Sequence, residues 1–459
     1  MSVSASSPLS ATALEGRVRG RIVTPDDRDY DAVRTVVAGH IDRRPAFIVR
    51  VADAADVAEV IGLARETGAE LAIRSGGHSG AGHSATDGGI VLDLRDLSAL
   101  ELDVEARTAW ADSGVTAAAF TDAAGEHGLA VGFGDTGSVG LGGLTLGGGV
   151  GYLVRLLGLT IDSLLAADVV TADGQLRRVD ADTEPDLFWA IRGGGGNFGV
   201  ATRFLFKLSE IPEAYGGMLI LPATPEVIEG YMAASSAAPN ELSSILNVMP
   251  APPMPGIPEE AVGQIVAMAI MCYAGDPSAG ERAVAPFRAL AEPLMDGLKP
   301  MRYPEIYMPE DPEYRPLAEA RTMFIERVDA ATAELILERL AASDSPMRVA
   351  QLRPLGGVMA DVPVDATAFA HRTSRIMVNV AAFYAGDADR PHRRAWVTGF
   401  ADDLRQGDDG AYVNFLVDEG EQRIRAAYPG ATWERLRAIK AQYDPTNLFR
   451  LNQNIPPAD

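Results

Sequence analysis

One histidine in a glycine-rich loop carries the clearest chemistry in this sequence. Arg74-Ser75-Gly76-Gly77-His78-Ser79-Gly80 follows the short apolar stretch Leu71-Ala72-Ile73. Adjacent glycines let backbone N–H groups crowd around a negative group, because no Cβ stands in the way. Arg74 adds a planar cationic fork of the kind that grips a diphosphate. The loop therefore reads as a cradle for an anionic cofactor, with an imidazole inside it. A second glycine run, from Val139 to Tyr152, places seven glycines in fourteen residues. A packed strand or helix interior tolerates that poorly. The simplest reading is backbone passing close along a large planar or phosphorylated ligand.

Other chemistries are disfavoured by what the motifs lack. Gly132-Phe133-Gly134-Asp135-Thr136-Gly137 matches G-x-G-x-x-G by letter but runs straight into more glycines. A dinucleotide fingerprint must leave a strand and enter a helix, so a nicotinamide site is not expected. No G-x-x-x-x-G-K-[ST] and no G-x-S-x-G occurs, which argues against a P-loop and a hydrolase elbow. The six histidines show no metal-ligand spacing, and no metal is expected. With 63 acidic against 40 basic residues the net charge is -23, which disfavours nucleic acid and anionic membranes as partners. The single cysteine, Cys272, excludes internal disulfides and thiolate clusters. Residues 1–20 contain no apolar h-region, and no apolar run reaches spanning length, so a cytoplasmic protein is expected, as a monomer or homodimer.

The elements that must hold these loops follow from periodicity. Ala46-Phe47-Ile48-Val49, Leu71-Ala72-Ile73 and Ile90 to Leu94 read as strands, the last two flanking the His78 loop. Asp53 caps a helix that Gly68 stops. Val115 to His127 reads as a helix, and Pro185 to Ile191 as a short one. Asp173-Gly174 between two β-rich runs predicts a hairpin, and Val200 to Leu208 a strand. Beyond residue 210 longer amphipathic helices appear, at Pro225–Ala238, Glu281–Ala291 and Ala331–Ala342. Strand-like runs recur at Gly263–Met271, Arg348–Arg353 and Ile376–Phe383.

Several of these segments, in this order, resemble the FAD-linked oxidases related to p-cresol methylhydroxylase, vanillyl-alcohol oxidase and berberine bridge enzyme. The likeness runs through Arg74 to Gly80, Gly142-Gly143 to Gly151, Trp189 to Gly199, Phe369-Ala370-His371-Arg372, Tyr443 to Arg450 and Asn452 to Pro457. It implies an α+β protein: a two-subdomain FAD-binding domain of the p-cresol methylhydroxylase type, and a substrate domain whose antiparallel sheet, flanked by helices, roofs the isoalloxazine. The expected division is 1–208 for FAD binding, 209–410 for substrate, and a C-terminal segment, 411–459, that returns to the FAD domain. By resemblance His78 carries FAD through its 8α-methyl. Arg74, Ser75, Gly76, Gly77 and Ser79 surround that link. Thr136, Val139, Gly140, Gly142, Gly143, Gly147 and Gly149 follow the second run, and Val200, Asn414 and Asn452 complete the cofactor contacts.

Three departures shape the functional expectation. Thr136 stands where many relatives carry a second flavin-linking cysteine, so a single covalent bond, through His78, is expected. Phe415 in Tyr412-Val413-Asn414-Phe415 replaces a proton-accepting tyrosine, and Asn379 replaces a roof-strand glutamate. The base is then another group (Tyr412, Tyr384, His371, or the strand pair Gln351 and Arg353), or the substrate needs none. Residues two apart on a strand share a face, so Gln351 and Arg353 can both look at the flavin. Arg353 as a cation suits a carboxylate, an enolate or the flavin anion. The candidate catalytic set is Tyr412, Arg353, Gln351 and Asn379. A small Val139 at its position implies reaction with dioxygen. The reading is an FAD-dependent oxidase of a small organic alcohol or amine, giving hydrogen peroxide. A metabolite-tailoring flavoenzyme and a flavin dehydrogenase with another acceptor are the alternatives.

Overall fold

The computed structural model describes residues 9–459; residues 1–8, part of the stretch read as lacking a leader, lie outside it. Strands Phe47–Arg50, Ile90–Asp93 and Leu71–Arg74 lie parallel, and Arg21–Val23 pairs antiparallel on the Phe47–Arg50 edge. Helix Ala54–Thr67 crosses between two of them. The Asp53 carboxylate accepts from the Asp56 N–H at its start, and Gly68 ends it in the left-handed conformation (φ 68°). Its apolar stripe, Val57, Val60, Ile61 and Ala64, packs on the sheet. A second, five-stranded antiparallel sheet has the order 100–103, 108–112, 200–207, 164–170, 176–180, and its last pair turns on Asp173-Gly174. Phe120, Phe133 and Phe206 meet edge-to-face in the core beneath it.

The third sheet is the largest and is antiparallel. Its order is 295–296, 214–222, 265–274, 242–250, 348–354, 376–383, 318–325, and Lys299–Met301 also pairs with Ala214–Pro222. Helices Pro225–Ala237, Pro277–Arg288, Ala330–Ala341 and Arg390–Leu404 cover one face. The period-two alternation of strand Arg348–Pro354 decides what each face sees. Ala350 and Leu352 enter the core under the helices, and Gln351 and Arg353 point to the other side.

The chain after Ala411 packs against the second sheet. Trp433, Leu436 and Ile439 of helix Ala431–Tyr443, with Ile455, join the core that holds Phe120 and Trp189. A buried ion pair fixes this return. Lys440 Nζ donates to Asp444 (2.7 Å) and to the carbonyls of Asn197 (2.7 Å) and Phe449 (3.0 Å). Asp444 in turn accepts the N–H groups of Leu448 and Phe449.

The glycine run departs from its sequence reading. Leu141–Gly147 forms a short, largely buried helix rather than loop. Tertiary contact outweighs the poor helix propensity of glycine here. A Cβ on Gly142 would stand 3.0 Å from the Ser75 Cβ, and one on Gly147 only 1.9 Å from Asn414 Oδ1. Helix Pro277–Arg288 also starts four residues before the periodicity suggested, because Asp276 caps it.

Candidate active site

Both glycine loops, the uncovered face of the large sheet and the C-terminal segment open onto one cavity of about 580 Å³. That volume suits a cofactor with a substrate, within the ~300–1,000 Å³ common for such sites. Two ties hold the loops together. Ser75 Oγ donates to the Ser113 carbonyl (2.6 Å) and accepts the Gly142 N–H (3.2 Å). The absence of a side chain at Gly140 is essential to this approach, since a Cβ would lie 2.2 Å from Ser75 Oγ.

The walls of the cavity have the character of an FAD site. Gly143 and Gly196 line it, and a Cβ on either would meet nothing within 4 Å, so these backbones face open space. Five buried polar atoms on the wall lack protein partners: His83 Nε2, Ser84 Oγ, Arg353 Nη1, Tyr428 Oη and Asn452 Oδ1. Such atoms are normally satisfied, and a polar, flat ligand laid along glycine backbone satisfies them. The residues present therefore fit the dinucleotide.

Ser75, Gly76, Gly77, His78 and Ser79 all line the cavity, as do Thr136, Val139, Gly140, Gly142, Gly143 and Gly149. Val200, Asn414 and Asn452 reach it from other elements. Two of the expected cofactor contacts do not. Arg74 is 1% exposed and turned away, its guanidinium bonded to the carbonyls of Val33, Arg34 and Ser84 with Asp93 at 3.9 Å. With its donors spent on backbone, it braces the loop instead of gripping phosphate. Gly147 sits behind the wall and makes room for Asn414, whose amide donates to the Leu144 carbonyl and to Tyr412 Oη, both at 3.0 Å.

On the sheet side, Gln351 and Asn379 are cross-strand partners and both face the cavity. Arg353, 3% exposed, is not a free cation. Its Nη2 pairs with Asp135 and, with Nε, donates to Gln351 Oε1, while Gln351 Nε2 donates to Asn247 Oδ1 (2.9 Å). The guanidinium also lies 4.9 Å from the centre of the Phe415 ring. Asp135 answers its charge from one side, while Nη1 stays buried without a protein partner. Asp135 is the one carboxylate on the cavity wall among the described residues. Sequence reasoning misses it because it lies within a glycine motif that matches a dinucleotide fingerprint by letter only. Its position directly before Thr136 was the available signal.

Tyr412 is buried against the second glycine run, where its Oη accepts the Gly149 N–H (2.9 Å). Burial raises its pKa, so the phenol stays protonated and holds the loop. His371 is packed between Phe324 and Phe369, with Nε2 at 3.1 Å from the Ala427 carbonyl, and does not line the cavity. Tyr384 does not line it either. His78 is flanked by groups that sequence reasoning missed. Its Nε2 lies 3.1 Å from Ser138 Oγ, and Ser138 is bonded to Glu310 through both hydroxyl and backbone N–H. No local signal links Ser138 to a residue so distant in the chain.

Comparison with known proteins places this geometry. Residues 45–180 match the FAD binding domain family, and residues 411–456 the berberine and berberine-like family. An FAD-linked oxidoreductase of Dictyostelium discoideum is 30% identical over 425 residues, covering 90% of this chain and 89% of its own. (R)-6-hydroxynicotine oxidase of Paenarthrobacter nicotinovorans is 29% identical, covering 100% of this chain and 99% of its own. The crystal structure of 6-hydroxy-D-nicotine oxidase from Arthrobacter nicotinovorans superposes with a TM-score of 0.85 at 26% identity, over 96% of this chain and 98% of that one.

Proposed function

Since this chain belongs to the FAD-linked oxidoreductases with a berberine-bridge-like C-terminal segment, we propose that it is an oxidase of a small organic alcohol or amine, with its flavin held by one covalent bond to His78. FAD, when bound, would supply a hydride acceptor for a C–H bond beside oxygen or nitrogen, with dioxygen as the final electron acceptor and hydrogen peroxide as its product. The observation that carries the reading is that His78 and the group Asp135–Arg353–Gln351–Asn379 open onto the same cavity.

The chain's own residues supply position and proton handling. Ser75, Gly76, Gly77 and Ser79 hold the cofactor near His78, and Gly140, Gly142, Gly143 and Gly149 let it lie against backbone. Val200, Asn414 and Asn452 close its other sides. Asp135 accepts the proton from the substrate's O–H or N–H, and Arg353 and Gln351 fix the direction of its carboxylate. Asn379 orients the substrate by hydrogen bonding. Tyr412 acts on the glycine loop, not on the proton. Val139 leaves room for dioxygen. Thr136 cannot form a thioether, and Cys272 is fully buried in a separate core cluster, which supports one covalent link. The FAD-binding part is 1–208, the substrate part 209–410 and the returning segment 411–459. We place the protein in the cytoplasm, as a monomer or homodimer.

The test is a panel of primary and secondary alcohols and amines offered to the purified protein, with peroxide followed under air and dye reduction followed without it. Peroxide formation that falls sharply in Asp135→Asn supports the reading. Reduction of dye alone, with no peroxide from any reducing compound, makes the protein a dehydrogenase. Flavin fluorescence that stays with acid-precipitated wild type and is lost from His78→Ala supports the link.

A further inference from the structure

The environment of His78 is asymmetric, and the asymmetry has a chemical consequence. Ser138 offers one hydroxyl hydrogen. That hydrogen goes to Glu310 Oε2, while the Ser138 backbone N–H goes to Glu310 Oε1 at 3.1 Å. Ser138 Oγ can then only accept from the imidazole, so Nε2 of His78, 3.1 Å away, carries the ring proton. Nδ1 is left with its lone pair, and no hydrogen-bond partner for it occurs among the described residues. Loop 137–139 is itself pinned, because the N–H groups of Ala117 and Ala118 bind the carbonyls of Val139 and Gly137 at 2.9 Å. The charged groups around the ring are Glu310 and Arg315. Burial lowers the His78 pKa below its ordinary value, which keeps the ring neutral at pH 7.

We infer that Ser138 and Glu310 form a proton relay that drives attachment of the flavin to Nδ1 of His78. This rests on the proposal above that His78 carries the cofactor. In the step, a bond forms between Nδ1 and the 8α carbon. One 8α C–H bond breaks, its proton leaves to solvent, and its electron pair stays on the ring system. The Nε2 proton passes to Ser138 Oγ as the Ser138 hydrogen passes to Glu310. Dioxygen then removes the two electrons, taking up two protons to give hydrogen peroxide. Glu310 is exposed, so the relayed proton has an exit to water. Ser138 and Glu310 are positioning and proton-transfer residues for the cofactor's attachment, distinct from the groups on the substrate side.

The experiment needs no substrate. Full-length protein is prepared without flavin as wild type, Ser138→Ala, Ser138→Thr, Glu310→Gln and His78→Ala, and then mixed with FAD under air. Flavin bound in total is read from absorbance after gel filtration, and flavin attached from acid precipitation and intact mass over time. Ser138→Ala and Glu310→Gln are expected to bind FAD as wild type does, yet to attach it about 100-fold more slowly or worse, the size of a lost general acid–base contribution. Ser138→Thr, which keeps the hydroxyl, is expected to restore the rate. Attachment at wild-type rate in both Ser138→Ala and Glu310→Gln overturns the relay while leaving the His78 link standing. Wild-type protein whose bound flavin is wholly released by acid overturns the link, and the relay with it.

Discussion

Removal of the Lys440 ammonium gives the sharpest energetic test of how the C-terminal segment is held. Lys440 and Asp444 are both 0% exposed. In Lys440→Met the apolar stem is kept, but Asp444 is left as a buried carboxylate with two backbone N–H groups and no counter-charge. The carbonyls of Asn197 and Phe449 also lose their donor. Breaking a buried pair from one side costs about 3–5 kcal/mol, because one charge remains unanswered. The natural control is Arg435→Ala, which breaks the exposed pair with Asp186 (side chains 44% and 62% exposed) and a stacking contact over the Trp189 ring at 4.0 Å, and costs about 0.5–2 kcal/mol. Urea unfolding followed by tryptophan emission measures both, and Trp433 on the same helix reports the local transition. Limited proteolysis gives the local opening. Lys440→Met is expected to lose most of its stability in this segment first, and the added change Asp444→Asn to recover part of it. A Lys440→Met loss equal to that of Arg435→Ala, with no recovery in the double variant, refutes the reasoning.

Three further outcomes are expected. Gly143→Ala places a methyl in open cavity, so the flavin-free protein melts as wild type or slightly higher, while FAD retention after gel filtration falls by about tenfold or more; unchanged retention shows that the flavin does not lie there. Tyr412→Phe leaves the buried Gly149 N–H unsatisfied, at about 1–3 kcal/mol, so thermal melting is lowered with the flavin still attached; a melt identical to wild type removes the tyrosine from loop support. Burial lowers His83 to about 4 from an ordinary 6.5, so the unfolded chain takes the proton first and the stabilisation present above pH 6.5 is lost as pH falls toward 4. His83→Phe in flavin-free protein is expected to lose less stability than wild type between pH 7 and pH 5 in denaturant melts, and equal losses count against this assignment.

The sequence made legible what short-range patterning controls. Asp53 and Gly68 bound a helix because cap chemistry is local. Asp173-Gly174 set a hairpin register, and alternation put Gln351 and Arg353 on one face. What it concealed was set by partners distant in the chain. Arg74 reads as a phosphate fork, yet the strand directs it into the subdomain, where three carbonyls take its donors. Gly147 reads as ligand contact, and its space is used by Asn414. The helix at Leu141–Gly147 is invisible to propensity, because packing against Ser75 and Asn414 selects glycine there. The pairing of Arg353 with Asp135, on a loop 218 residues away in the chain, could not be foreseen.

The walls contributed by Asn452 and Gln453 have a bearing on biosynthesis. A nascent chain that has not emerged past these positions lacks one side of the chamber, however well its earlier parts have collapsed. Closure of the chamber around a ligand is therefore a late event in the making of the chain, set by Asn452 and Gln453.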